Sequence, residues 1–500
     1  MNDAEVLMNP NDLVQFLKKS PEYFTKDDIL RFCEENHIEM VNFRYAGGDG
    51  KLKNLNFAVS SKEQLNTILS DGERVDGSKL FSFIEAESSD LYVVPRYGTA
   101  FMDPFAEVPT LNILCSYYNS NGQPLASSPE HILRQAEASF KKYTGMEFKC
   151  LGELEYYIIS KEETFYHRNN RIGYHESAPF CRFCEMRTKA MLMIGRAGGK
   201  IKYGHAEAGS FTKDGYYYEQ HEIEFLPTSP ILAVEQIIIA KWILRKLSMQ
   251  YGVEVSFAPK IAIDKSGSGL HIHFLAEKNG TNVLIKEGRL SDTAKRMIVG
   301  ILDISDAVTG FGNTVPTSYL RLVPNQNAPT YICWGEKNRS VVVRVPLGWV
   351  DSVDMAADAN FGLKRKSEKP PRQTLEFRVA DGSASIYETI ACLICGAIHG
   401  LGMNGALTKS DELFASGNIF TEECESFIKT LRRLPVSCAE SADALIAKRK
   451  IFERDDIFPP GVIDCQAAKL RAYNDNCLSE RLRSDETLFT ECAEQYLHIN

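Results

Sequence analysis

Three short segments of this 500-residue chain carry chemically capable residues at i and i+2: Glu153 and Glu155 in GELEYYII, His271 and His273 in GLHIHF, and Glu376 and Arg378 in TLEFRV. Successive side chains of a β-strand alternate faces, so each pair shares one face while its apolar neighbours occupy the other. The pattern calls for a sheet with one side packed on a core and a charged side that needs neutralising. Glu153 and Glu155 are like charges side by side, unfavourable unless something positive lies between or beyond them. A divalent cation meets that need, and oxygen donors favour hard ions such as Mg2+ or Mn2+; a solvated sheet face is the alternative. His271 and His273 follow a turn that Gly267 and Gly269 make possible, which suits metal or phosphate contact as well as a satisfied core histidine. The turn is not a P-loop, because it lacks the Gly-Lys-Ser/Thr element. Glu376 and Arg378 also read as an ordinary ion pair. Glu207 in GHAEAG and Glu222 in EQHEIEF add carboxylates in glycine-flanked or strand-like settings.

A second feature is the run SYLRLVPNQNAPTYICWGEKNRSVVVRVP, residues 318–346, with Arg321, Arg339 and Arg344 amid apolar strand and turn residues. A guanidinium offers a planar fork of donors that stays charged near neutral pH, which suits carboxylate and phosphate recognition.

Composition narrows the class. Hydrophobic residues at 44% and charged residues at 25% are ordinary for a soluble globular protein. A net charge of −9 argues against a nucleic-acid partner held by a basic surface. The most apolar stretch, Ile390 to Met403, is too short to span a bilayer and contains His399, so it predicts a buried helix and no membrane partner. The N-terminus lacks the basic and apolar regions of a signal peptide, and the expected location is cytoplasmic. Thirteen scattered cysteines fit reduced thiols; two CxxC pairs, Cys181/Cys184 and Cys392/Cys395, are about two hundred residues apart, and the second reads as helix packing.

Turn-rich NSNGQPLASSPE separates an N-terminal domain, residues 1–120, from a larger one, residues 121–500. The first should hold two short helices within residues 11–37, the second capped by Thr25, then strands at Met40–Tyr45, Leu52–Val59, Leu91–Pro95 and Leu111–Tyr117. A helix capped by Ser128 should run from Pro129 to about Thr144. Beyond it strands and helices mix without a βαβ rhythm, which favours an α+β fold, and the chain turns helical from about residue 405, including Ser441 to Phe452.

In order along the chain, VDGS (75–78), ESSD and MDPF (87–105), GELE, GYH (173–175), HAEAG, QHEIEF, GSGLHIH, SYLRLVP, NRS and TLEFRVAD together resemble the glutamine synthetase family over nearly the whole length. The resemblance implies a small N-terminal β-grasp domain and a large catalytic domain with an antiparallel strand cage surrounded by helices. It also implies a ring-shaped homo-oligomer whose active sites form between subunits. By the same resemblance, Glu155, Glu207 and Glu222 hold one divalent cation and Glu153, His271 and Glu376 a second, as two or more Mg2+ or Mn2+ ions per site. Arg321, Arg378 and Gly267 would bind glutamate, while His273, Arg339 and Arg344 would face ATP, the co-substrate, and its transferred phosphoryl group. Asp76 would reach the ammonium site of a neighbouring subunit.

The chain departs from the family at one position that matters. The family pattern SYKRLVPGYEAP carries a catalytic glutamate where this chain has Asn327, and an amide neither takes up a proton near neutral pH nor attracts ammonium by charge. Asn325 and Gln326 replace the preceding Gly and Tyr, and Ser266 replaces an Asn in the glycine-rich turn. The interval from Glu207 to Glu222 is longer than in the commonest bacterial form, leaving Glu219 and Glu224 as alternatives to Glu222. No NLYDLP segment occurs, so control by adenylylation is not expected. The resemblance implies an ATP-dependent ligase joining ammonia to glutamate through γ-glutamyl phosphate. Asn327 leaves open a larger acceptor amine or a structural homologue of low activity. A guanidino phosphotransferase is disfavoured by the six-ligand pattern and the RLVP segment.

Overall fold

The computed structural model describes residues 3–81, 83–84, 89–162, 173–324, 326, 328–350, 354–360 and 372–499. Short amphipathic helices open the chain. Lys26–Glu35 starts at a reciprocal cap in which Thr25 and Asp28 each bond the other's backbone N–H. Its apolar stripe, Ile29, Leu30, Phe32 and Cys33, is buried.

The first sheet comprises β1 (Met40–Ala46), β2 (Leu52–Ala58), β3 (Glu73–Asp76), β4 (Asp90–Pro95), β5 (Phe101–Met102) and β6 (Thr110–Tyr118). Its order is β2-β1-β6-β4-β3, with β5 on β6. β1 and β6 run parallel; the other pairs are antiparallel. Val41, Phe43 and Tyr45 point into a core shared with the opening helices, whereas Asn42 and Arg44 on the alternate face make polar contacts with Asn112. This is the β-grasp unit, with its own core.

The helix Pro129–Thr144 begins where expected: Ser128 Oγ accepts from His131 N at 3.3 Å, and Gly145 in the left-handed region ends it. The second sheet follows: β7 (Glu147–Lys161), β8 (Ile201–Ala206), β9 (Phe211–Lys213), β10 (Tyr216–Phe225), β11 (Glu254–Ser256), β12 (Leu270–Lys278), β13 (Thr281–Asn282), β16 (Trp334–Glu336), β17 (Val343–Val345) and β18 (Leu375–Phe377); between them a separate hairpin pairs β14 (Ile285–Lys286) with β15 (Arg289–Leu290). The main order is β16-β17-β18-β12-β7-β10-β8, antiparallel except between β16 and β17. The helix Pro230–Tyr251 lies against the apolar side, where Ile237 fills the space left by Gly152 of β7. Mixed sheets and surrounding helices make this the α+β catalytic domain.

Ile386–Gly402 is a buried helix, with Cys392 and Cys395 wholly enclosed among apolar neighbours. No single described helix is long and apolar enough to cross a membrane. All thirteen cysteines are free thiols. The C-terminal region is helical from Ala406, and the expected Ser441–Phe452 helix begins three residues earlier, at Cys438.

Candidate active site

Strand register assembles the site. β7 pairs Glu153 with His271 of β12 on one side and with Glu224 of β10 on the other. Glu155 pairs with Glu222, which pairs in turn with His205 of β8. His273 and Arg344 both lie opposite Glu376 of β18. Directly paired residues share a sheet face, so this polar set gathers on one side of six neighbouring strands, β17-β18-β12-β7-β10-β8.

Glu153, His271 and Glu376 bring one ligand atom each within 4.8 Å of one another, and so do His205, Glu207 and Glu222. Glu153 meets both histidines, Oε2 with His271 Nδ1 and Oε1 with His273 Nε2, each at 2.8 Å. Burial alone would raise the Glu153 carboxyl, but His273 and His271 outweigh it and hold the group well below its ordinary range. Glu222 behaves oppositely: burial, then Glu153, Glu155 and Glu207, push its carboxyl well above that range. Burial and Glu155 raise Glu207 as well. A buried anionic cluster lacking enough positive charge is what a hard divalent ion would neutralise, so the donor set fits two such ions. Glu155 sits beside the second trio, its Oε2 accepting from Gly269 N at 2.6 Å.

The glycine-rich turn is tied into this cluster by its backbone. Gln220 Nε2 donates to Gly267 O at 3.1 Å. A Cβ at Gly267 would meet Pro259 O at 2.2 Å, and one at Gly269 would meet Arg321 Nη2 at 2.6 Å and His271 Nε2 at 2.9 Å. No other residue fits against Arg321 so closely.

The arginines line the same region. Arg321, buried, donates to Val379 O at 2.8 Å and lies 3.2 Å from His271 Nε2. Arg378 bonds Glu376 Oε1, and Arg344 Nη1 donates to Glu376 Oε2 at 2.7 Å. Burial raises the Glu376 carboxyl, but Arg378 more than compensates and the group is held low. Arg339 is exposed in the loop Lys337–Ser340, which lines a cavity of about 540 Å3 with Ser416, Asn418 and Phe420; its charge is felt at Glu207. Asp76 stands apart on the first sheet, exposed, where it accepts from Ser78 N at 3.0 Å. Asn327 lies outside the described residues, as does Asn325.

Several contributors escaped the sequence reading. His205 is one; its ring centroid lies 4.3 Å from that of His175, and the alternation of β8 with Tyr203 was its only signal. Lys260 is wholly buried, donates to Lys265 O and, at 2.8 Å, to Gln326 Oε1, and so ties the glycine-rich turn to the loop beside position 327. Asp381, in the ADG turn, is buried and accepts from Asn313 Nδ2 at 2.7 Å and Ser383 N at 2.9 Å. Glu219, one alternative for Glu222, points to the opposite face. There it accepts from Arg182 N, Phe183 N and Tyr217 Oη, each at 2.9 Å, and lies 2.9 Å from His221 Nε2. Cys181 of the CxxC pair joins that network, and Cys184 begins a helix.

Residues 126–468 match the glutamine synthetase catalytic domain and residues 37–120 the glutamine synthetase β-grasp domain. A glutamine synthetase from Methanococcus maripaludis is 27% identical over 385 residues, 75% of this chain and 80% of the relative. One from Frankia alni is 25% identical over 476 residues, 88% of this chain and 94% of the relative. Among solved structures, Plasmodium falciparum glutamine synthetase matches with a TM-score of 0.72 at 19% identity, over 92% of this chain and 97% of that one. A GmaS–ADP complex matches with a TM-score of 0.70 at 18% identity, over 90% and 96%. The ordered strand motifs, the two-domain fold and the match across both domains agree: the chain belongs to the glutamine synthetase family of ATP-dependent ligases.

Proposed function

We propose that this protein joins ammonia to the γ-carboxylate of glutamate, with ATP, through γ-glutamyl phosphate. The observation that carries the reading is the convergence of Glu153, His271 and Glu376, and of Glu207 and Glu222 beside Glu155, onto one sheet face lined by Arg321, Arg344 and Arg378. A carboxylate is a poor acylating agent, so its oxygen first takes the γ-phosphoryl group, and the amine then displaces phosphate from the acyl carbon. Mg2+ or Mn2+ held by the two ligand sets would spread the charge of the phosphates during transfer. Arg321 and Arg378 supply positive charge for the glutamate carboxylates, and Gly267 lets the chain approach without a side chain in the way. Arg339 and Arg344 serve the phosphoryl group and nucleotide, with His273 beside them, held at Nδ1 by Thr374 Oγ1 at 2.8 Å.

Asp76 is exposed on β3 of the first sheet whereas these groups are carried by the second, which suits a ring assembly in which it completes a neighbour's site. Asn327 favours a second reading of the acceptor alone: without a carboxylate there, an alkylamine replaces ammonia and the product is a γ-glutamyl amide. The test is product identification by mass spectrometry after incubation with glutamate, ATP, Mg2+ and either ammonium or a panel of primary amines. Glutamine from ammonium supports the first reading and a γ-glutamyl amide formed in preference supports the second; no ATP-dependent product with any amine removes both.

A further inference from the structure

Another cavity, of about 500 Å3, lies between β9, residues 262–265 and the C-terminal helices Leu478–Ser484 and Glu486–Tyr496. None of the residues assigned above to glutamate, nucleotide or cation lines it. Both helices lie beyond residue 468, where the match to the catalytic domain ends. Phe211, Ala262 and Phe489 give the cavity a buried apolar floor, with Ile263 partly buried beside them. Its rim is cationic. Lys213 donates to Glu486 at 3.1 Å and Lys265 lies 2.7 Å from Asp264, but the two carboxylates are 79% and 72% exposed. Solvent-facing pairs of this kind are worth about 0–1 kcal/mol, so either lysine can exchange its partner for a ligand. Arg483, on the same rim, has no ion-pair partner among the described residues. The Lys265 ammonium also lies 5.9 Å from the centre of the Phe211 ring, so charge and apolar floor meet.

The geometry points to this cavity as a binding site for a phosphate monoester with a ring-shaped apolar body, which acts on the ligase from outside its substrate pockets. A phosphate dianion offers acceptor oxygens to the Arg483 fork and to both lysines at once, while a ring buries apolar surface on Phe211 and Phe489. The volume is that of an ordinary small-molecule site. Two hydrogen-bonded bridges carry the effect inward. Tyr157 Oη lies 3.2 Å from Gly209 O, two residues before β9, and 2.9 Å from Ser266 O in the glycine-rich turn. Lys260 joins Lys265 O to Gln326 Oε1. A ligand that pins Phe211 and Lys265 therefore orders the turn at Gly267 and the loop beside position 327 together. The coupling rests on the ligase reading, since glutamate is what that turn would meet; the binding does not.

Phenyl phosphate is the probe, titrated into the full-length protein by calorimetry. One molecule should bind per chain, and Arg483→Ala, at an exposed position, should weaken it about tenfold for the loss of one charge-assisted contact. Arg339→Ala should leave the affinity unchanged, which separates this cavity from the one beside Lys337–Ser340. Inorganic phosphate and benzoate should each bind about tenfold more weakly, because each lacks half of the recognised chemistry. The site is overturned by no binding, by binding undiminished in Arg483→Ala or lost in Arg339→Ala, or by inorganic phosphate or benzoate matching the probe. In steady-state assays the probe should lower the KM for glutamate about fivefold in the wild type and leave Arg483→Ala unmoved. A wild-type KM that stays put or rises overturns the coupling. If no amine is turned over at all, the ligase reading fails and the calorimetry alone decides the cavity.

Discussion

Replacing Glu222 by glutamine should move stability in opposite directions with and without divalent cation. Ligand atoms of Glu222 and Glu207 lie within 4.8 Å, and burial together with Glu153, Glu155 and Glu207 pushes the Glu222 carboxyl well above its ordinary range. Two unit charges about 5 Å apart repel by about 3 kcal/mol at an effective dielectric near 20. Partial protonation relieves some of this, so the amide should stabilise the cation-free protein by about 1–2 kcal/mol at pH 8, a rise of a few degrees in Tm. The sign follows from linkage. A carboxyl raised in the folded state binds more protons there than when unfolded, so stability falls as pH rises from the unfolded value through the folded one. The advantage of Glu222→Gln should therefore shrink toward pH 5. With saturating Mn2+ the order should invert, because the wild type gains a ligand charge that the variant lacks. Thermal melts in EDTA and in Mn2+, at pH 5 and pH 8, measure all four cases. Equal destabilisation by Glu222→Gln in EDTA and in Mn2+ at pH 8 would refute the reasoning, since the residue would then be merely structural.

Arg378→Lys should raise the KM for glutamate by about tenfold to a hundredfold in steady-state assays, because an ammonium cannot reproduce the planar fork that engages Glu376. Lys260→Met should also raise that KM, by about tenfold for the loss of roughly 1–1.5 kcal/mol of hydrogen bonding, with a smaller change in kcat, because it unties Gln326 from the turn at Lys265. Asn327→Glu should increase ammonia-dependent turnover; no gain would mean that Asp76 or the altered loop already meets the need. Asp76→Asn should lower turnover while Mn2+ uptake, followed by titration, stays unchanged.

Much of the fold was legible because period-2 patterns are local. GELE, HIH and EFR each declare a strand face, and Ser128 with Pro129 declares a helix start, all within a few residues. What a local pattern cannot state is which strand lies beside which. The pairing of Glu153 with both His271 and Glu224, and of Glu222 with His205, follows from register across distant segments. His205 was therefore invisible as a neighbour of Glu222, and Glu219 and Glu222 could be told apart only once their opposite faces were known. Lys260 escaped for a related reason: a buried lysine carries no signal until the oxygens it bonds are found beside it.

The most direct measurement follows an oxygen atom. Glutamate labelled with 18O in its γ-carboxylate is incubated with the protein, ATP, Mg2+ and ammonium or an accepted amine, and the released phosphate is analysed by mass spectrometry. Transfer of one labelled oxygen to each phosphate is the predicted result, because the carboxylate oxygen that attacks phosphorus leaves with it. Phosphate released without label, or ATP left unconsumed under every acceptor tried, would contradict the assignment of this charged sheet face to acyl-phosphate ligation.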